Sequence, residues 1–126
     1  MDFTGRYELV SQENFEPFMK AMGVPDDQIQ KVKDVKSFTE FVQNGNHFIA
    51  TATMGSNVLH NEFTVGEEAE LETLTGEKFK TIVRLEGNKL IGNLNEVISI
   101  NELNGDTLTS TLTLKGIVYK RVLKKV

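Results

Sequence analysis

Residues 104–123 read NGDTLTSTLTLKGIVYKRVL and predict two antiparallel strands joined by a tight turn. Between Thr107 and Leu114, threonines alternate with leucines and one serine. Successive side chains of a strand point to opposite faces, so this alternation indicates one apolar and one polar face. Threonine and valine also suit a pleated surface. This part of the chain is therefore typical of a half-buried β-sheet.

Similar runs fill most of the remaining chain. From residue 37 onward, turn-forming glycines recur at spacings of mostly ten or eleven residues, at Gly45, Gly55, Gly66, Gly76, Gly87, Gly105 and Gly116. Asn44-Gly45 and Asn104-Gly105 are dipeptides favoured in tight hairpins, whose two central residues need positive φ. Nine runs after residue 37 and one near residues 6–10 give about ten strands. A meander of that length readily closes into a barrel, which removes its own edges.

Residues 14–35 are the exception and predict a helix-turn-helix between the first two strands. Apolar side chains recur at helical spacing, at Phe15, Phe18, Met19 and Met22. Asn14 is the predicted N-cap, and Gly23 is the predicted end of the first helix. Pro25 and the acidic residues after it favour the start of a second helix.

Composition limits the function classes. The 126 residues suit a single domain over 1–126, and a net charge of -4 without a long basic run argues against nucleic-acid binding. The chain contains no cysteine, so disulfides and thiolate metal sites are excluded. No apolar stretch reaches the roughly 20 residues of a membrane span. The first residues lack the pattern of a secretory signal, which predicts a cytoplasmic location.

Catalytic motifs are not evident. The two histidines are His47 and His60, and His60 lies two positions from Glu62 in a predicted strand. An enzyme that uses His60 with Glu62 is disfavoured, because no nucleophile or phosphate-binding loop accompanies them. Paired acids elsewhere suit helix starts and turns better than a metal site. We expect no enzyme activity, no metal and no cofactor.

Each face of the last predicted strand carries a cation, so whichever face points inward brings a cation into the fold. Tyr119, Arg121 and Leu123 share one face, whereas Lys120 and Val122 share the other. Alternation leaves open whether Arg121 lies inside or at the rim with Lys120 snorkelling. An inward Arg121 would favour an anionic ligand, because its fork of donors matches a carboxylate and an unpaired buried charge is costly.

A resemblance to a known family resolves this choice. The pattern Gly5-x-Tyr7-x-Leu9-x4-Asn14-Phe15-Glu16-x-Phe18-Met19-x2-Met22 resembles the N-terminal signature of the cytosolic fatty-acid-binding proteins. The resemblance extends over essentially the whole chain, including residues 24–27, 61–68 and 71–76. Residues 11–16, 42–45 and 102–106 are most similar to the liver-type branch of that family.

The resemblance implies an all-β fold, a ten-stranded antiparallel up-and-down barrel with a helix-turn-helix lid. It implies a wet cavity that binds an anionic amphipath. The side chains that it places on the cavity are Thr39, Phe41, Phe48, Ala50, Ala52, Asn61, Phe63, Glu72, Leu74, Asn101, Leu108, Ser110, Tyr119 and Arg121. The residues that it places at the portal are Phe18, Ile29, Lys31 and Lys33.

Several positions depart from the family pattern. Most relatives outside the liver branch have an Arg-x-Tyr arrangement and a second inner arginine, but this chain has Leu123 and Asn101 at those positions. Liver-type relatives use a hydroxyl at the position of Thr39, and threonine also supplies one. They use a second hydroxyl at the position of Leu123, where this chain has none. Ser110 stands where relatives usually have asparagine. The predicted ligand is a long-chain fatty acid or a related amphipath such as acyl-CoA, haem or a bile acid.

Two alternatives stay open beside that prediction. A bile acid as the main ligand is favoured by small residues at Ala50, Ala52 and Gly92, although larger neighbours could fill that space. The lysines of the lid, Lys20, Lys31, Lys33 and Lys36, would suit transient contact with anionic membranes or a receptor, or would form only a solvated face. The protein itself is expected to be a monomer.

Overall fold

The structure, a computed structural model, describes residues 2–73 and 76–126. Two short helices, α1 (Phe15–Ala21) and α2 (Asp26–Val32), follow the first strand. The strands are β1 Gly5–Glu13, β2 Ser37–Asn44, β3 His47–Met54, β4 Asn57–Thr64, β5 Glu68–Glu72, β6 Lys78–Ile82, β7 Arg84–Glu86, β8 Lys89–Leu94, β9 Val97–Asn104, β10 Thr107–Leu114 and β11 Ile117–Lys125.

The strands form a curled antiparallel meander, as predicted. Hydrogen bonds join nine of them in the order β4-β3-β2-β1-β11-β10-β9-β8-β7, and β5 pairs with β6 in a separate two-stranded sheet. The first and last strands pair directly, with Leu9 opposite Leu123. This pairing joins the two ends of the meander and confirms the barrel architecture, with the helices inserted between β1 and β2.

The segment between the predicted turns at Gly76 and Gly87 contains two strands and is divided at Val83. Its carbonyl accepts a hydrogen bond of 3.0 Å from the amide of Gly66, in the turn that follows β4. The chain changes its pairing partner at this residue, because β6 before it pairs with β5 and β7 after it pairs with β8. The structure therefore contains eleven strand segments within the described residues where the sequence predicted about ten.

The two Asn-Gly hairpins differ from the predicted turn type. Asn44 and Asn104 end their strands, and Gly45 and Gly105 are the first central residues, with φ of 60° and 61°. A glycine with positive φ at the first central position is the arrangement of type II′ turns, whereas type I′ needs positive φ at both positions. The turn between β10 and β11 has both, at Lys115 and Gly116.

Helix α1 ends as predicted but begins differently. The amide of Gly23 donates to the carbonyl of Lys20, and that of Val24 donates to Met19, which together form a Schellman motif. Asn14 makes no capping hydrogen bond with its side chain. Its side-chain nitrogen Nδ2 instead donates to the carbonyl of Val118 at 2.9 Å, and this hydrogen bond links the start of the helix to β11.

Two apolar clusters divide the interior. The larger fills one end of the barrel and consists of Phe3, Tyr7, Phe41, Phe48, Phe63, Leu71, Val83, Leu90, Leu103, Leu108 and Leu123. The smaller lies beneath the helices and consists of Phe15, Phe18, Met19, Ile29, Val97, Leu114 and Tyr119. We name them the floor cluster and the lid cluster. Neither helix of the described residues is long and apolar enough to cross a membrane.

Candidate functional site

An open cavity of about 730 Å³ lies under α2. The helix side contributes Met19, Gly23, Val24, Pro25, Gln28, Ile29, Lys31, Val32 and Val35. The opposite side is formed by Ala52, Met54, Gly55, Ser56, Asn57, Val58, Leu59, Glu72, Thr73 and Gly76. The volume lies within the 300–1,000 Å³ that is usual for small-molecule sites. We call the rim between α2 and the β3–β4 turn the portal.

Arg121 is half-buried as a whole and its Nε is fully buried, whereas Lys120 on the opposite face of β11 is exposed. Its Nη2 donates a hydrogen bond of 3.1 Å to Oγ of the buried Ser110. Its guanidinium also lies 5.8 Å from the centre of the Tyr119 ring, within reach of a cation–π interaction. Burial lowers the pKa of Arg121 from its ordinary value, because the protein interior disfavours the charged form.

Two buried polar atoms have no hydrogen-bond partner among the described residues, namely Nε of Arg121 and Oγ1 of Thr39. Arg121 also forms no ion pair with any described residue, so the structure contains no pairing with Glu72. A buried donor without a partner carries its full cost of desolvation. Both atoms could therefore gain from an acceptor that enters the barrel.

Strand register gathers several predicted polar residues in one row. Asn101 on β9 lies opposite Ser110, which in turn lies opposite Arg121. The row continues onto β1, where Gln12 lies opposite Arg121 and accepts a hydrogen bond of 2.7 Å from the hydroxyl of Tyr119. Burial raises the pKa of Tyr119, so the neutral phenol that donates to Gln12 is favoured.

Gln12 is a residue of this row that the sequence did not indicate. The alternating positions Gly5, Tyr7 and Leu9 predict that an even-numbered residue faces outward. The register between β1 and β11 shifts between Leu9 and Ser11, which is a β-bulge, and this shift brings Gln12 to the inner face. No local sequence pattern marks that shift.

The apolar side chains predicted to line the cavity lie in two regions, the floor cluster and the cavity wall. Phe41, Phe48, Phe63 and Leu108 belong to the floor cluster, and Phe48 and Leu108 expose no surface at all. Ala50 packs against the same cluster, whereas Ala52 lines the cavity. Ligand contact by the floor residues stays a prediction. Leu74 lies outside the described residues.

Asn61 and Glu72 are directly joined. Oδ1 of Asn61 accepts a hydrogen bond of 2.8 Å from the backbone amide of Glu72, and its Nδ2 donates one of 3.1 Å to the carbonyl of Glu72. Glu72 also lines the cavity. Two of the four hydrogen bonds that the Asn61 side chain can form are thus made within the protein. A ligand contact of either residue stays a prediction.

The residues predicted at the portal occupy different positions. Ile29 is buried and lines the cavity together with Lys31. Lys33 forms an ion pair with Glu16 of α1, with 3.5 Å between Nζ and Oε1. Phe18 packs on the ring of Tyr119, with 5.4 Å between ring centres, and so lies deeper in the lid cluster than at the rim. Their shared role at the portal stays a prediction.

The histidines lie on the outer face of β3 and β4. His47 contacts Glu62 through Nε2 and Thr64 through Nδ1, whereas His60 contacts Thr51 at 3.1 Å. His60 and Glu62 flank the inward-facing Asn61, so alternation turns both away from the cavity. Among the described residues, no group of three or more histidine, aspartate or glutamate side chains could hold a metal ion.

Comparisons with known proteins agree with this architecture. The model of the lipocalin and cytosolic fatty-acid-binding protein family matches residues 1–126. The chain is 59% identical to the liver fatty-acid-binding protein of Sus scrofa, over 100% of both chains. It is 61% identical to the liver fatty-acid-binding protein of Ambystoma mexicanum, over 98% of this chain and 99% of the relative.

A solved structure has the same fold. The zebrafish ileal bile-acid-binding protein in complex with cholic acid superposes with a TM-score of 0.85 and 43% identity, over 98% of both chains. Similarity in sequence and in three dimensions therefore covers the whole barrel and its lid.

Proposed function

Since this chain belongs to the lipocalin and cytosolic fatty-acid-binding protein family, we propose that it carries long-chain fatty acids and related amphipathic anions inside its barrel. The observation that carries the proposal is the unpaired state of two buried groups, Nε of Arg121 and the hydroxyl of Thr39. Each can donate a hydrogen bond to a carboxylate, which accepts bonds only. The cavity under α2 offers space for an apolar chain.

The relatives support fatty acids as the first ligand class. Proteins named liver fatty-acid-binding proteins share more than half of their residues with this chain along its whole length. We expect the cytosolic location of the family and a monomeric state. The proposal assigns carriage to the chain and no catalytic step.

A bile acid is the second candidate ligand. It is favoured by the similarity to the zebrafish protein bound to cholic acid, and by the small residue Ala52 on the cavity wall. The space beside Gly92 is less favourable, because a Cβ added there would lie 3.6 Å from Cγ2 of Val83. Val83 thus lies within van der Waals distance of that position and takes up part of the space that the missing side chain leaves.

A competition experiment separates these candidates. Delipidated protein is loaded with a fluorescent fatty acid, which is then displaced by oleate, methyl oleate, cholate or an uncharged alcohol of the same chain length. We expect oleate to displace the probe at the lowest concentration and the ester to be much weaker. If cholate is the strongest competitor, the bile acid is the main ligand. If no compound competes and no probe binds, the carrier proposal fails.

A further inference from the structure

Backbone ladders leave two seams in the described part of the barrel, because β4 and β7 are the edges of the nine-stranded sheet and β5 and β6 are the edges of the two-stranded sheet. One of these seams lies between β4 and β5. Strands β4 and β5 are consecutive and lie side by side, but β4 is the edge of the nine-stranded sheet and β5 belongs to the two-stranded sheet. Consecutive strands on the other side of β4 are paired along their full length, from His47 opposite Thr64 to Met54 opposite Asn57. The seam must therefore be held by side chains or by packing.

Asn61 provides such a connection. Its side-chain amide accepts from the N–H and donates to the C=O of Glu72, at 2.8 and 3.1 Å. Residues that exchange both bonds in this way form the repeating unit of an antiparallel ladder. Here the amide group of Asn61 takes the place of a backbone peptide, and it reaches across a gap that the backbone of β4 does not bridge.

The connection lies at the inner edge of the cavity. Glu72 and Thr73 from one side of the seam, and Asn57 and Leu59 from the other, are part of the cavity wall. Parting of β4 from β5 at this point would widen the cavity on the side of the β3–β4 turn. A chain-shaped ligand could then pass without displacement of the buried Ile29 of α2.

We propose that Asn61 is a latch across the β4–β5 seam and sets the rate at which ligand enters and leaves the barrel. The role rests on the proposed carrier function. A latch of this kind raises the barrier to passage in both directions, because it must open for entry as well as for exit. It therefore affects both rate constants and leaves the dissociation constant nearly unchanged.

The test compares Asn61→Ala, which loses both hydrogen bonds, with Asn61→Asp, which can still accept from the N–H of Glu72 but cannot donate to its C=O. Asn93→Ala removes an exposed amide from the outer face of β8 and serves as the matched control. Association and release of a fluorescent fatty acid are measured by stopped flow. Hydrogen exchange of the Glu72 amide is measured without ligand, so that the seam is observed independently of binding.

We expect both rate constants of Asn61→Ala to rise by about tenfold, a change on the scale of lost hydrogen bonds, with the dissociation constant altered less than about threefold. Asn61→Asp should be intermediate, and Asn93→Ala should match the wild type. The Glu72 amide should exchange faster in Asn61→Ala. These results together would support the latch.

Three outcomes would overturn it. A rise in the release rate alone would make Asn61 a ligand contact. Unchanged rates with lower stability to denaturant would make it a structural bond only. If Asn61→Ala does not fold, unchanged rates and unchanged exchange in Asn61→Asp decide against the latch. Failure of the wild type to bind fatty acid would refute the carrier function, while the exchange of Glu72 would still report on the seam.

Discussion

At the scale of single residues, Arg121 and Thr39 combine burial with an unused hydrogen-bonding group. Among the described residues, Ser110 is the one side-chain acceptor of Arg121, so most of the five guanidinium donors have no side-chain acceptor there. Burial disfavours the charged guanidinium and lowers the pKa of Arg121 from its ordinary value. An anionic ligand relieves this cost, and so both residues are expected to matter more for binding than for folding.

The first prediction concerns Arg121→Gln. Loss of the cation should lower the affinity for oleate by about 1.5 to 3 kcal/mol, the scale of a hydrogen bond to a charged group. The stability of the empty protein should stay the same or rise, because removal of an imperfectly paired buried charge is often neutral or stabilising. Titration calorimetry and denaturant unfolding of the ligand-free protein measure the two effects.

The methyl ester of oleate provides the control for Arg121. Wild type should bind the ester more weakly than the acid, and Arg121→Gln should bind the two with similar affinity. Equal binding of acid and ester by the wild type would show that Arg121 does not recognise the head group. A large loss of stability in the empty mutant would instead make the arginine structural.

The second prediction concerns Thr39→Val, which removes the unpaired hydroxyl and keeps the side-chain shape. Oleate affinity should fall by about 0.5 to 1.5 kcal/mol, the net contribution of an ordinary hydrogen bond. The empty protein should be equally stable or more stable, because a buried hydroxyl without a partner disfavours the folded state. Thr111→Val on the outer face of β10 is the control and should leave affinity unchanged. Full affinity in Thr39→Val would exclude the hydroxyl from the site.

At the scale of elements, the two helices differ in how firmly they are held. Helix α1 buries Phe15, Phe18 and Met19. The Asn14 side chain, directly before it, donates to the carbonyl of Val118. Helix α2 buries Ile29 alone and covers the cavity, which Ile29 itself lines. A short helix depends on packing for its stability. We therefore expect α2, not α1, to open first and to meet a surface to which ligand is delivered.

The third prediction follows from the lysines of α2. Lys31→Glu should slow the transfer of ligand to anionic vesicles, because a cation near such a surface contributes about 1 kcal/mol. Equilibrium affinity should change little, since Lys31 is exposed at the rim. Replacement of Lys31 tests the charge alone, whereas replacement of Lys33 would also break its ion pair with Glu16.

Transfer is measured with a fluorescent fatty acid and vesicles that contain quencher, at low and high salt. Lys80→Glu on β6 makes the same charge change away from the lid and should transfer as the wild type does. Added salt should reduce the difference between wild type and Lys31→Glu, because screening weakens exposed charges. Equal transfer rates for all three proteins at low salt would leave Lys31 as part of a solvated face.

At the scale of the whole molecule, the sequence alone predicted the strands, the lid and a cation on the last strand. Periodicity is a local property, so Thr107 to Leu114 suffices to predict β10. Features that depend on distant partners were not predictable. Asn14 bonds to Val118, 104 positions away, instead of capping its helix. The seam closed by Asn61 depends on how β4 and β5 meet in space, which alternation does not encode.

The same limit applies to the candidate site. Alternation divided the last strand into two faces, and only the resemblance assigned Arg121 to the interior. Gln12 was missed because a bulge changes the register of β1 against β11. The position of Val83 beside Gly92 likewise follows from the folded barrel and not from either local sequence.

The last prediction is the affinity of the delipidated protein for oleate. Removal of about 16 CH₂ groups from water, at about 0.8 kcal/mol each, offers about 13 kcal/mol. Immobilisation of the ligand and desolvation of its head group oppose binding by several kcal/mol, which leaves near 8 kcal/mol, or a micromolar dissociation constant. Oleate at 100 times that constant should raise the free energy of unfolding by about 2.7 kcal/mol.

Calorimetry measures the affinity, and denaturant unfolding with and without oleate measures the linked stability. The two values must agree, because a ligand that binds the folded state alone stabilises it by an amount fixed by its concentration and dissociation constant. Agreement would show that oleate enters the folded barrel. Stabilisation far below the calorimetric value would indicate binding to unfolded chain or to fatty-acid aggregates. No heat and no stabilisation at tens of micromolar, with cholate equally inactive, would contradict the carrier function.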